Sequence, residues 1–408
     1  MNTSRGANAM TFLPYGRQVI DDDDVAAVEK VLRAPLLTTG PVVSQFEDAL
    51  RQTVGAPFAI ACSSGTAGLH LAILAAGIGP GDIVVVPSIT FSATANCARY
   101  AGADVVFADV DADSGLMTVD TFMAALDRCG RPPAAVLPVD LAGQTPALEE
   151  IASVAAKRGI VVIEDGCHAL GSVYPSGGRD VRVGSCTHSD FCVFSFHPVK
   201  AITMGEGGAV TCRTAAHANA LAQLRSHGIS RSVDSFVDRS HAGLDDGTVA
   251  NPWYYELQSL GFNYRASDIH CALGLSQLGK LEGFLARRRA LVAQYDEAFE
   301  KLSPSLAPIA RVPSVAVGWH LYVVLIDFEG LGISRRDVMI ELANRGIGTQ
   351  VHYIPLHRQP YYVGLYGNVS LPGADRYYNR CLSLPLFASM TDRDVVRVVD
   401  ALKDTLRL

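Results

Sequence analysis

The chain has 408 residues, 49% hydrophobic and 18% charged, with a formal net charge of -7. Its length suits about two or three domains around well-packed cores. The acidic balance and the lack of a long basic stripe argue against nucleic acid as a partner, and the long apolar stretch Phe58–Ile78 is broken by Ser63-Ser64-Gly65-Thr66, which argues against a membrane span.

The first eleven residues hold one arginine and no apolar core, so they are expected to be disordered and not to form a signal peptide. A helix over 22–33 follows, with Asp21–Asp24 capping it and complementing its dipole. The loop at 36–41 leads into a helix over 42–53. From Phe58 onward, apolar strands read at 58–62, 83–86, 104–108, 134–140, 160–164, 191–196 and 208–212. Helical segments lie between most of them, near 66–77, 91–101, 118–128 and 146–158. This alternation predicts an α/β fold with a mainly parallel seven-stranded sheet covered on both faces. Such sheets bind ligands at the carboxyl ends of their strands.

A helix over 215–225, a polar loop over 231–252 and a helix from Ser267 close the first domain, set at 12–277. An amphipathic helix over 278–302, with Arg287-Arg288-Arg289 as a solvated face, leads into a smaller α+β domain at 278–408. That domain is expected to hold strands near 319–327 and 348–353 and helices near 334–345 and 392–406. The nine cysteines are odd in number, lack a CxxC pair and mostly sit in apolar runs. They read as small buried hydrophobes in a reducing, cytoplasmic setting, with no metal site.

The positions after the strands carry the chemistry. Ser63-Ser64-Gly65-Thr66-Ala67-Gly68 opens a helix, where first-turn amides, glycine and hydroxyls make either a phosphate cradle or an ordinary N-cap. Phe91 opens the next helix, either to stack on a planar ligand or to fill the core. Asp165 ends a buried strand, with His168 three residues on. A buried acid needs a partner, and none is supplied locally; capping the following turn is the plainer role. Lys200 lies between the strands 191–196 and 208–212. Of the six lysines, the other five sit in polar or helical contexts. Between buried strands, desolvation favours the neutral amine, the form that attacks a carbonyl. From that stretch alone, a surface turn lysine is an equal reading.

A phosphate cradle, an aromatic, an acid and a desolvated lysine, in that order, are what pyridoxal phosphate requires. The lysine bonds the aldehyde, the acid keeps the ring nitrogen protonated, the aromatic covers one face and the amides hold the phosphate. The stretches TTGP (38–41), SSGTAGLH (63–70), PSITFSATAN (87–96), IEDGCHALGS (163–172), FSFHPVKAITMGEGGAV (194–210), GFNYRASDIHCALGLSQL (261–278) and QVHYIPLHRQPYY (350–362) resemble the DegT/DnrJ/EryC1/StrS family of sugar aminotransferases, fold-type-I pyridoxal phosphate enzymes.

The resemblance implies that Lys200 bonds the cofactor, Asp165 pairs with its ring nitrogen, His168 lies beside the ring and Phe91 stacks on it. Gly65, Thr66 and Ser195 would hold the phosphate. Asn263 would reach the phosphate of a neighbouring subunit, making the enzyme a homodimer with shared active sites. Tyr15, Thr38, His320, Tyr322 and His352 match positions near the nucleotide sugar, and Glu206 has no assigned role. Within the family the likeness is to C4 aminotransferases. It is greatest to the type acting on a UDP-linked 4-keto-6-deoxy-N-acetylhexosamine in pseudaminic acid biosynthesis, with L-glutamate as amino donor. The UDP-4-amino-4-deoxy-L-arabinose and GDP-perosamine types come next. Dehydratase members carry histidine in place of the lysine, so Lys200 argues against that activity, and the full set of site residues argues against a non-catalytic regulator.

Overall fold

The structure, a computed structural model, describes residues 12–244, 249–300, 302 and 305–408. The disorder expected for 1–11, and Lys301 of the expected helix, lie outside the described residues. In chain order the first strands are β1 (Phe58–Cys62), β2 (Ile83–Pro87), β3 (Asp104–Ala108), β4 (Ala135–Val136), β5 (Val161–Asp165), β6 (Val173–Ser176), β7 (Arg179–Arg182), β8 (Phe191–Ser195) and β9 (Gly208–Cys212). Seven of them form one sheet in the order β1-β9-β8-β5-β4-β2-β3. It is mainly parallel. Only β9 runs against its neighbours, β1 and β8. The chain reaches β9 through 196–207, which holds no crossover helix of the kind that parallel pairing normally needs. Lys200 lies in this connection, just beyond the end of β8, at the edge where β1, β2 and β5 also end.

Side-chain alternation divides each strand between two cores. Val84, Val86, Ile163, Phe191 and Val193 face one. Ile83, Val85, Val162, Cys192 and Phe194 face the other. Burial on both sides explains the continuous apolar runs. The strand expected over 134–140 is continuous only at Ala135–Val136, with an isolated bridge further on from Val139 to Asp165, because Pro138 has no N–H for the ladder. The hairpin β6–β7 was not foreseen. It turns on Gly177 and Gly178, whose φ values of 53° and 75° suit the left-handed residues of a tight hairpin turn.

Beyond the sheet, β10 (Ile229–Ser230) pairs with β11 (Glu256–Leu257). Helices Asp268–Gly279 and Leu281–Glu300 meet at Lys280, the C-cap of the first. A three-stranded antiparallel sheet of β12 (Leu306–Pro308), β13 (Tyr322–Ile326) and β14 (Cys381–Leu384) follows. It packs with helices Leu281–Glu300, Arg335–Asn344 and Asp392–Leu406 in a third core. The segment 348–353 is not a strand; Gln350 makes an isolated bridge to Ser383. The solvated face expected of Arg287-Arg288-Arg289 is wrong for Arg288, which is 2% exposed. No helix among the described residues is long and apolar enough to cross a membrane.

Two buried acids tie the N-terminal helices to Asp268–Gly279. Asp24 accepts from Ser276 Oγ at 2.6 Å and Gln277 Nε2 at 2.7 Å and pairs with Lys280 at 3.0 Å, a role beyond the expected capping. Asp268 accepts from the amides of Gly40 at 2.8 Å and Val42 at 2.9 Å. It thus caps helix Pro41–Val54 from a distance and holds the loop bearing Thr38. Asp268→Ala is expected to cost about 2 kcal/mol in urea unfolding, a lost cap plus stranded amides; an unchanged midpoint would contradict this role.

Candidate active site

The carboxyl ends of β1, β2, β5 and β8 open into a cavity of about 1090 Å³. Of the residues expected at the site, Gly65, Thr66, Phe91, Asp165, His168, Ser195, Lys200, Tyr15, His320 and His352 line it, as does Glu206. Thr38 and Asn263 are exposed and stand outside this chain's cavity. Tyr322 is a correction. It is buried in the third core, stacked on Tyr295 at 4.5 Å, and its hydroxyl donates to Asp296 at 2.8 Å, so nothing in the cavity reaches it.

Asp165 closes β5 and is buried. Its Oδ2 accepts from Thr94 Oγ1 at 2.7 Å and its Oδ1 from the Cys167 amide at 3.2 Å. Thr90 Oγ1 lies 2.7 Å from Thr94 Oγ1 and extends this chain of hydroxyls. Among the described residues the carboxylate has hydrogen-bond donors but no ion pair, a costly state for a buried charge.

Helix Gly65–Ala75 starts beside it. Ser64 Oγ accepts from the Ala67 amide at 3.1 Å, so the capping reading holds. The first-turn amides of Gly65 and Thr66 still have no partner within the helix. A Cβ at Gly65 would stand 2.8 Å from Ser195 Cβ, which is why glycine is needed for the helix to close on β8.

Lys200 Nζ projects into the cavity 3.5 Å from His320 Nε2. Burial lowers its basicity, opposed by Cys167 and Asp165. Three histidines surround it. Burial, and then the charge of Lys200, hold His168 and His320 well below the usual imidazole value and His352 down to about 3. They are neutral at physiological pH. The Ala142 amide donates to His168 Nδ1 at 3.3 Å, which assigns the ring proton to Nε2, the atom 3.1 Å from the Tyr353 hydroxyl. His352 Nδ1 lies 2.7 Å from Ser383 Oγ. Phe91 is 56% exposed at the cavity wall, 6.2 Å from the Tyr353 ring. Thr94 and Tyr353 escaped the sequence reading, though both lie in the motifs quoted there.

The buried, unpaired Asp165 carboxylate suits a cationic ring nitrogen, the open helix start at Gly65 suits a phosphate, and the desolvated Lys200 amine suits an aldehyde. The residues present therefore fit pyridoxal phosphate. An α/β sheet with this site at its strand ends defines a fold-type-I pyridoxal phosphate enzyme. The profile of the DegT/DnrJ/EryC1/StrS aminotransferase family matches residues 18–403, and the chain belongs to that family, whose cofactor is pyridoxal phosphate. It is 36% identical over 400 residues to the spore coat polysaccharide biosynthesis protein SpsC of Bacillus subtilis, covering 97% of each. Its structure is similar to Helicobacter pylori PseC, an aminotransferase involved in the biosynthesis of pseudoaminic acid, with a TM-score of 0.85 at 28% identity over 97% of this chain and 100% of that one. It is also similar to Spr1654 of Streptococcus pneumoniae in its PLP form, with a TM-score of 0.84 at 27% identity over 97% and 99% of the two chains.

Behind Asp165 lies a second acid pair. Asp140 and Glu164 are buried, and among the described residues both oxygens of Asp140 and Oε1 of Glu164 lack a hydrogen-bond donor. Burial and mutual repulsion push Asp140 well up, and burial raises Glu164 to about 7. The folded state thus keeps protons that the unfolded chain releases above the ordinary carboxylate range. This contribution to stability is present at low pH and is lost as pH rises towards about 7. Glu164→Gln is expected to flatten that slope. Between about pH 5 and pH 7.5 the wild type should lose roughly 1–3 kcal/mol more than the variant in urea unfolding, and parallel profiles would contradict the assignment.

Proposed function

We propose that this aminotransferase moves the amino group of L-glutamate onto the C4 ketone of a UDP-linked 4-keto-6-deoxy-N-acetylhexosamine, as in pseudaminic-acid-type biosynthesis. The observation that carries the reading is the Lys200 amine, desolvated and directed into the same cavity as the unpaired Asp165 carboxylate. The similarity to H. pylori PseC supports the substrate class. So does the cavity of about 1090 Å³, at the upper end of the usual range for small-molecule sites and ample for a nucleotide sugar.

Pyridoxal phosphate, when bound, supplies an electron sink and a temporary carrier for the amino group. Asp165, fixed by Thr94 and the Cys167 amide, would hold a proton on the ring nitrogen. The amides of Gly65 and Thr66 and the Ser195 hydroxyl would hold the phosphate, with Phe91 and His168 as the residues available beside the ring. Lys200 Nζ, its basicity lowered by burial, takes a proton from the donor carbon that bears the amine and returns protons as general acid. With the 4-keto sugar in place of the donor product, the same atom runs the transfer in reverse, a ping-pong cycle. Tyr15, His320 and His352 border the space left for the sugar.

The working unit in this proposal is a homodimer. Asn263 lies outside its own chain's cavity, and the same region exposes Trp253 at 75% and Leu260 at 86%, an apolar surface suited to a second copy. The division into 12–277 and 278–408 belongs to the proposal, supported by the helix break at Lys280 and the separate third core. Nine cysteines without a disulfide support a cytoplasmic setting.

Lys200→Ala is expected to abolish steady-state turnover. A panel of UDP-, dTDP- and GDP-linked 4-keto-6-deoxy sugars with glutamate, read by mass spectrometry, should give an amino sugar with the UDP-N-acetyl substrate. Product from another nucleotide alone would overturn the substrate assignment, and measurable turnover by Lys200→Ala would overturn the mechanism.

A further inference from the structure

Arg288 is the middle member of the arginine triplet, and it faces inward. Helix Leu281–Glu300 buries Leu281, Leu285, Arg288, Leu291, Val292, Tyr295 and Phe299, which recur at steps of three and four residues, so Arg288 stands on the apolar stripe. All of its hydrogen-bond partners are main-chain carbonyls. Nη1 donates to Leu386 at 3.0 Å and, at longer range, to His320 at 3.3 Å and Trp319 at 3.4 Å; Nη2 donates to Lys200 at 3.4 Å. Among the described residues it makes no ion pair with a carboxylate, and Nε has no hydrogen-bond partner. A cation kept in the interior without an anion is costly, and packing alone is met more cheaply by leucine or methionine.

The carbonyls identify its task. They belong to the turn that carries Lys200, to the segment that carries His320 and to the strand-end loop at Leu386. The planar guanidinium is the one side chain able to hold several acceptors in a fixed fork. Its charge also faces His320, whose basicity burial lowers first and which Lys200, His168, Arg288 and His352 lower further.

We propose that Arg288 is a positioning residue of the active site: its guanidinium clamps the main chains of Lys200 and His320 together and so sets the contact through which His320 Nε2 receives the proton of Lys200 Nζ. The proposal rests on the reading of Lys200 as the catalytic lysine. In the ammonium form Nζ donates to the neutral imidazole at 3.5 Å. Moving the proton leaves a neutral amine and an imidazolium, and its return restores both, so the exchange needs no other reactant. Arg288 serves this exchange in two ways. It fixes the separation, and its charge keeps the imidazole unprotonated beforehand.

The test uses the holoenzyme of Arg288→Lys, which keeps the charge without the fork, and of Arg288→Met, which keeps only the stem. Borohydride labelling of Lys200 in the presence of pyridoxal phosphate is expected to persist in both. Turnover should fall at least tenfold in each, with the KM for glutamate changed less than threefold. In Arg288→Met alone the acid limb of the pH–kcat profile should move to higher pH. In the cofactor-free protein the imidazole NMR signal lost in His320→Gln should titrate at higher pH in that variant as well. Wild-type turnover, or an unmoved His320 titration in Arg288→Met, would overturn the proposal. Should Arg288→Met fail to fold, Arg288→Lys with wild-type turnover would overturn it equally. Failure of Lys200 to label in the wild type would overturn the underlying reading and this proposal with it.

Discussion

A carboxylate is buried at the end of the central strand with hydroxyl and amide donors but, among the described residues, no ion-pair partner. Asp165 and Lys200 share one cavity, yet the lysine is not the acid's ion-pair partner. Leaving a buried charge in that state costs several kcal/mol, and leaving an amine desolvated favours its neutral form. Both penalties are relieved by one kind of ligand, a planar heterocycle with a basic nitrogen and an aldehyde. The parallel sheet exists to hold these two groups apart at one edge. The Lys200 turn stands at that edge because it follows β8 directly, and the antiparallel β9 starts from there.

Around this pair the remaining polarity is arranged to stay neutral. His168, His320 and His352 are kept unprotonated by burial and by the lysine's charge. Neutral imidazoles can accept and donate hydrogen bonds without adding positive charge beside the amine. The Asp165 carboxylate is thus supported by hydroxyls, the Lys200 amine by imidazoles, and the Lys200 and His320 main chains by a buried guanidinium.

Much of this was legible in the sequence, because the residues that follow buried strands were forced to the sheet edge. Lys200, Asp165 and Gly65 were found by that logic, and the alternation of strands and helices gave the sheet. The hydroxyl chain through Thr94 was not found, since a threonine inside a helix shows nothing of the strand end it will meet. Tyr322 was misplaced because it sits on β13, where it faces the third core and not the cavity. Arg288 was misread from composition, as three arginines in a row look solvated. The spacing of its apolar neighbours carried the correct signal. The strand over 134–140 was overextended because its apolar pattern outweighed Pro138.

The most direct measurement is reduction of the pyridoxal-phosphate-loaded protein with borohydride, followed by proteolysis and mass spectrometry of the peptides. The account predicts one modified site, the lysine at position 200, and loss of that label once glutamate has converted the cofactor to its amine form. A label on any other lysine, or one indifferent to glutamate, would contradict it.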